Sequence, residues 1–398
     1  MKQGWEIKKL GEVCDIVNGT TPLRTNKEFW EGGNYPWFTI DDIREQGRII
    51  TDTKQKVTQA ALKKLRILPV DTILLCCTAS IGEYAITKIE LTTNQQFNGL
   101  VIKNKKEISP MFLSYFSSTL KDTLSDLSGK ATIDFIPISR LKDIEIPFPP
   151  LPEQQLIVAI LDEAFAAIAK AKANAEQNLK NAKELFESYL GEVFENKGDG
   201  WEEKTLGEVC EFTQGIQRDV KLQGENQKVN QVRFLRIVDF TQGNEAPRYI
   251  DNPGDKYILN SNDVSLVRYG ASTGFVCRGL EGALANNLFR VIPKSKKEVT
   301  NDFLFVYLTA PVFQNVIKES MNGAAMPAIS FGLIKDIPFP IISIDEQQTI
   351  VQKLDALSTE TKKLEAIYTQ KINDLEELKK SVLQKAFSGE LKTAKALV

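Results

Sequence analysis

Ten residues near the start of the chain come back near its middle. Residues 5–14 read Trp-Glu-Ile-Lys-Lys-Leu-Gly-Glu-Val-Cys, and residues 201–210 read Trp-Glu-Glu-Lys-Thr-Leu-Gly-Glu-Val-Cys. Eight of the ten positions are identical, at an offset of 201 − 5 = 196. A second pair closes each half, Ile146-Pro147-Phe148-Pro149 and Ile337-Pro338-Phe339-Pro340. Beyond it Glu153-Gln154-Gln155 matches Glu346-Gln347-Gln348, and Leu161-Asp162 matches Leu354-Asp355. A fainter echo sets Ala79-Ser80-Ile81-Gly82 against Ala271-Ser272-Thr273-Gly274. A unit of about 195 residues is too long for a solenoid, so it reads as a domain with its connector, present twice. Whatever one copy folds into, the other must fold into as well.

Each copy has two parts. The first, residues 1–150 and 201–340, mixes short apolar runs such as Asp71-Thr72-Ile73-Leu74-Leu75-Cys76-Cys77 with Gly, Asn and Pro punctuation. That pattern predicts strands, loops and a few short helices, an α+β domain. The second part, residues 151–200 and 341–398, predicts a long helix. Pro147, Pro149, Pro150 and Pro152 mark its start, and no proline follows until Pro247. Proline suits a first helical turn and is excluded from the interior.

Both helical parts carry a heptad stripe. In the C-terminal one Ile350, Leu357, Leu364, Lys371 and Leu378 recur every seven residues, interleaved with Leu354, Thr361, Tyr368, Leu375 and Val382. The middle one reads Ile157, Leu161, Ala164, Ile168, Ala171, Ala175, Asn178, Ala182, Leu185 and Tyr189. A stripe sustained over about four heptads calls for a partner helix. The small seam of one suits the large seam of the other, so the two are expected to pair with each other, antiparallel. At 1.5 Å per residue, roughly 40 paired residues would make a spacer of about 60 Å.

The absences narrow the chemistry. The chain has no histidine, which removes Ser-His-Asp and Cys-His catalysis and the His-Glu-x-x-His zinc proteases. Cys14, Cys76, Cys77, Cys210 and Cys277 form no Cys-x-x-Cys pair and read as buried apolar side chains in a reducing compartment. Ser128-Gly129-Lys130-Ala131-Thr132 resembles the tail of a phosphate-binding loop, but the earlier glycine is missing and the threonine is displaced. Asp251-Asn252-Pro253-Gly254 lacks the second proline and the aromatic of an adenine methyltransferase loop. Asp41 and Asp42 are adjacent, and on a strand would point to opposite faces, a poor acid–base couple. No metal site is expected, and no apolar run approaches the roughly 20 residues of a membrane helix. Nor does a signal-like apolar core follow Met1, so a cytoplasmic location is expected.

Net charge, −2, does not mark a nucleic-acid binder. Residue type is more informative. All twelve arginines lie within residues 1–150 and 201–340, whereas 24 of the 38 lysines do. Arginine's planar fork suits guanine edges and phosphates. Basic residues beside polar or aromatic groups are the candidate DNA contacts: Thr21, Arg24, Lys27, Lys54, Lys56 and Arg66 in the first half, with Lys63 and Lys64 nearby. In the second half they are Arg218, Lys221, Arg233, Arg236, Arg268 and Tyr269. A duplicated scaffold that binds proteins alone, with arginines serving interfaces, is the alternative.

The chain resembles the specificity subunits of type I restriction-modification systems. The resemblance lies in Trp-Glu-x-Lys-x-Leu-Gly-Glu-Val opening each half, and in Gly19-Thr20-Thr21-Pro22 followed by Phe29-Trp30-Glu31-Gly32-Gly33 and Tyr35-Pro36-Trp37. Ile-Pro-Phe-Pro with Glu-Gln-Gln entering a long helix, and the ending from Leu378 to Leu391, carry it across essentially the whole chain. It implies two target-recognition domains, residues 1–150 and 201–340, joined by helical spacers, residues 151–200 and 341–398. Each domain would read one half of a split, asymmetric DNA target, and the helices would set the gap. Spacer residues would include Ile157, Leu161, Ile168, Leu185, Leu357, Leu364, Tyr368 and Leu375. Two modification subunits, binding S-adenosylmethionine and methylating adenine, would dock on the chain. Two restriction subunits, using ATP and Mg, would join them. The chain itself would hold no cofactor and catalyse nothing.

Overall fold

The repeated opening folds alike in both copies. In the first, strand Glu6–Lys9 runs through one helical turn, Leu10–Val13, into strand Cys14–Asn18. In the second, Glu202–Thr205, Leu206–Val209 and Cys210–Gln214 do the same. The shared glutamate causes the turn. Glu12 accepts the Lys9 N–H at 2.9 Å, and Glu208 accepts the Thr205 N–H at 2.6 Å. A glutamate reaching back in this way satisfies one of the orphan donors at a helix start. The shared Leu and Val of each turn are buried beneath it. The computed structural model describes residues 2–128, 135–196, 198, 200–321 and 328–391. Residues 129–132 of the string that resembles the tail of a phosphate-binding loop lie outside them.

The opening strand pairs antiparallel with the closing one, and the register revises one sequence match. Lys8 faces Ile146, while its repeat partner Lys204 faces Phe339. The structural counterpart of Ile146 is therefore Phe339, not the Ile337 that string matching suggests. The offset becomes 339 − 146 = 193, the same that relates Gln154 to Gln347. A slip of two residues leaves every side chain on its own face, so the sheet tolerates it.

Two further sheets recur in each copy. The larger runs Cys14–Asn18, Phe97–Ile102, Ile73–Cys76, Tyr84–Thr87, Ile49–Ile50 in the first copy. Its counterpart runs Cys210–Gln214, Leu288–Pro293, Val264–Val267, Val276–Cys277. The smaller sheet sets Tyr35–Phe38 between Gln55–Val57 and Thr92–Thr93, and correspondingly Gln231–Leu235 between Arg248–Asp251 and Gly282–Leu284. The faint Ala-Ser-x-Gly echo is the turn between two strands of the larger sheet. Its glycines, Gly82 and Gly274, sit at φ +84° and +89°, which an L side chain adopts at a cost.

The long helices, Leu151–Glu195 and Ile344–Ser388, are each 45 residues. The chain separates into two units that cut both: residues 1–174 with 371–398, and residues 175–370. In the first unit Ile157, Leu161 and Ala386 share the core with Phe112, Phe116 and Ile146. Phe387 packs on Phe112 at 5.2 Å and Phe116 at 5.5 Å. In the second, Leu190, Phe194 and Leu354 share the core with Phe303, Tyr307 and Phe339. There Phe194 packs on Phe303 at 5.7 Å and Tyr307 at 5.3 Å. Such ring pairs add roughly 0.5–1.5 kcal/mol beyond area burial. Within the first unit the helices run antiparallel: Lys379 lies over the Phe165 ring, and Lys172 bonds Glu376.

The seam departs from the expected stripes at five positions: Asn178, Leu185, Leu364, Lys371 and Leu378 are all exposed. Leu185 is 58% exposed and Leu364 39%, so neither lies in it. Leu179 and Phe186 are part-buried where Asn178 and Leu185 were expected. On the second helix Leu354 and Thr361 are buried, and Leu357, Tyr368 and Leu375 part-buried. Ile157, Leu161, Ile168, Ala175 and Ala182 are buried on the first. The physical reason is that 3.6 residues per turn do not divide seven, so a strict heptad drifts off the buried face. No helix among the described residues is long and apolar enough to cross a membrane.

Candidate nucleic-acid interface

In the first unit the loop after Cys14–Asn18 is pinned to the smaller sheet. Gly19 approaches so closely that a Cβ there would lie 2.0 Å from the Asn94 carbonyl oxygen. Thr20 N–H donates to Thr93 O at 2.8 Å, and the Thr21 hydroxyl bonds Gln95. Trp30 Nε1 donates to Leu23 O at 3.2 Å, and Trp37 Nε1 to Thr20 O at 3.3 Å. The two indoles meet edge to face, 4.9 Å between centroids. Arg24 lies over both rings and donates from Nη1 to Gln55 Oε1 at 2.7 Å. This bond brings Arg24 to the strand that holds Lys56 and follows Lys54, while Thr21 bonds Gln95 beyond Thr92–Thr93, on the other side of Tyr35–Phe38.

The lysines and Arg66 are held differently from Arg24. Lys27 pairs with Glu31 at 3.1 Å, and Lys56 with Asp52 at 3.1 Å. Lys54 gives its backbone N–H to Asp42 at 2.7 Å and leaves its side chain exposed. Arg66 is exposed. Asp42 is buried and caps a helix through the Thr39 N–H at 2.7 Å, while Asp41 pairs with Arg44 at 3.0 Å. These carboxylates shape a turn and make no acid–base couple.

In the second unit Asp239 takes the place of Asp42 and collects two arginines. Arg233 reaches it at 3.2 Å and Arg236 at 3.1 Å; Arg236 also bonds Glu245 at 3.0 Å and the Ala246 carbonyl at 3.0 Å. Burial alone would raise the Asp239 carboxyl, but these guanidiniums and the Arg236 N–H hold it below its ordinary range. Both arginines are thus occupied with the fold. Arg268 donates to Ile329 O at 3.3 Å beside Phe331, and the Tyr269 backbone bridges Ala328. Arg218 and Lys221 are exposed on the loop equivalent to that of Arg24, without its tryptophans. Sequence reasoning missed Gln55, Gln95 and the two indoles as organisers; the Phe-Trp and Pro-Trp pairs at 29–30 and 36–37 were the available signal.

All five cysteines are buried and unpaired, and burial pushes the thiols of Cys14, Cys77, Cys210 and Cys277 up to about 12. No thiolate is therefore presented at neutral pH. Among the described residues no cluster of three acidic, cysteine or histidine side chains could hold a metal. What the loops do present is a set of donors on a rigid frame.

Comparison with known proteins places both halves together. A family model described as "Type I restriction modification DNA specificity domain" matches residues 2–180 and again 198–377. The specificity subunit of the type I restriction enzyme MjaIX of Methanocaldococcus jannaschii is 29% identical, over 98% of this chain and 94% of its own. The EcoprrI specificity subunit of Escherichia coli is 28% identical, over 88% of this chain and 87% of its own. Two solved structures share the fold. One, from a study of complex assembly and conformational transition of the type I R-M system, has a TM-score of 0.81 at 19% identity, covering 98% and 99% of the two chains. The HsdS subunit of Thermoanaerobacter tengcongensis has a TM-score of 0.66 at 20% identity, covering 98% of each.

Proposed function

Because the chain belongs to the type I restriction-modification DNA specificity family, we propose that its two globular parts each read one half of a split DNA target. The paired long helices set the number of base pairs between the halves. Two modification subunits dock on the two copies of the repeat, bind S-adenosylmethionine and methylate adenine; restriction subunits, using ATP and Mg, join them. This chain supplies addressing and no catalysis. The observation that carries the reading is the duplication: one specificity domain occurs twice in a single chain, and identity concentrates in the frame. The loops after Asn18 and Gln214, which carry the exposed Arg24, Lys27, Arg218 and Lys221, share little sequence beyond their first glycine. A frame repeated under divergent loops suits two identical partners and two different half-sites.

The test is expression of the chain with its modification subunit in cells free of other adenine methylation. Sequencing the methylated sites should return two short half-motifs with a fixed gap. The purified chain alone should neither methylate DNA nor hydrolyse ATP. Methylation scattered without a bipartite motif would contradict the reading, as would catalysis that stays with the isolated chain. The scaffold alternative predicts that the chain leaves the salt dependence of DNA binding by the complex unchanged.

A further inference from the structure

Most arginines of this chain are closed by a carboxylate. Arg44 meets Asp41, Arg48 meets Glu83, Arg233 and Arg236 meet Asp239, Arg248 meets Glu225, Arg278 meets Asp302, and Arg290 meets Asp263. Arg24 is held by neutral groups instead. Its guanidinium carbon lies 4.1 Å from the Trp30 ring centroid and 4.4 Å from that of Trp37, and Gln55 accepts one Nη1 hydrogen at 2.7 Å. Indole faces and an amide oxygen fix a guanidinium plane without neutralising it. The rings are themselves fixed, since each indole N–H bonds a carbonyl of the Arg24 loop.

The consequence is an exposed, charged fork of set orientation. Among the described residues Nε and Nη2 meet no acceptor. Two parallel donors in one plane match guanine O6 and N7 in the major groove. A phosphate would accept a swinging cation equally well; a base edge needs the plane. The neighbours also favour a base: Leu23, 66% exposed, stands beside Arg24, and the nearest loop lysine, Lys27, is paired with Glu31. Resting on the target-reading function proposed above, we infer that Arg24 is the specificity-determining residue through which the first globular part reads a guanine in its half-site.

The experiment compares methylated motifs of cells expressing the modification subunit with the wild-type chain, Arg24→Lys, Arg24→Ala or Gln55→Glu. Exchange of residues 12–145 identifies the half-site concerned. In that half-site one guanine should become degenerate in all three variants, with discrimination against other bases falling about 10- to 100-fold. The other half-site should keep its bases. Arg24→Lys keeps the charge but lacks the fork, and Gln55→Glu keeps the fork but closes it with a carboxylate. Unchanged motifs would overturn the inference. So would a uniform loss of binding by the complex with a shallower salt slope, which marks a phosphate contact. A wild-type chain that directed no bipartite methylation would fail the underlying function rather than Arg24.

Discussion

Replacing Gln154 or Gln347 with alanine should destabilise one unit each. These are the middle residues of the two Glu-Gln-Gln repeats, and both are fully buried. Gln154 Oε1 accepts the Ser109 N–H at 2.8 Å, while Nε2 donates to Glu107 O at 2.9 Å and Pro149 O at 2.8 Å. Gln347 repeats the pattern, with Thr300 N–H at 2.9 Å, Glu298 O at 2.7 Å and Ile342 O at 3.1 Å. Each amide therefore ties a long helix to the closing strand and to the N-cap of a shorter helix, Pro110–Ser117 or Asn301–Thr309. Truncation leaves three buried groups without these partners, at about 1–3 kcal/mol each where no water replaces them. A combined cost of about 3–9 kcal/mol is expected, which in a unit of about 200 residues lowers the melting temperature by roughly 6–36 °C. Calorimetry of the full chain should show Gln154→Ala shifting one transition and Gln347→Ala the other. The exposed neighbours Gln155 and Gln348 provide controls, whose alanine variants should stay within about 0.5 kcal/mol. The reasoning is refuted if Gln154→Ala melts like Gln155→Ala.

Two other outcomes follow from the same structure. Inserting one heptad into both helices, after Ala175 and after Tyr368, adds about 10 Å and should lengthen the gap by about three base pairs. The half-motifs should stay the same, and methylation should weaken because three base pairs also turn the duplex by roughly 100°; an unchanged gap in active variants would show that helix length is not the ruler. The second concerns Asp239, whose carboxyl is held below its ordinary range against the pull of burial. A carboxyl depressed in the fold stabilises above its unfolded value, near pH 4, and loses that contribution as pH falls through the folded one. The second unit should therefore lose melting temperature below about pH 4, with a flatter profile in Asp239→Asn; parallel profiles would refute the assignment.

The duplication, the two α+β parts and the two long helices were legible because each leaves a periodic or repeated trace. Register was less so. Identical Ile-Pro-Phe-Pro strings invited a match that strand pairing shifts by two, since a sheet face constrains alternation and not identity. Leu185 and Leu364 continued a seven-residue stripe on paper, whereas a 3.6-residue helix turns them outward. Arg233 and Arg236 stood among the candidate DNA contacts. Only the fold reveals that Asp239, three residues beyond Arg236, occupies them both. Arg24 looked no different from its neighbours, because what sets it apart is stacking on Trp30 and Trp37 and a hydrogen bond to Gln55, 31 positions away.

If each copy reads its own half-site, the two should be separable by exchange. Residues 12–145 should be exchanged for the corresponding segment of a relative with a different target, leaving the frame strands, both helices and the second copy intact. The chimera and the parent are then expressed with the same modification subunit, and the methylated adenines of each genome are sequenced. One half-motif should change, while the other half-motif and the gap between them are retained. A chimera in which both half-motifs change together, or in which neither does, would contradict independent reading.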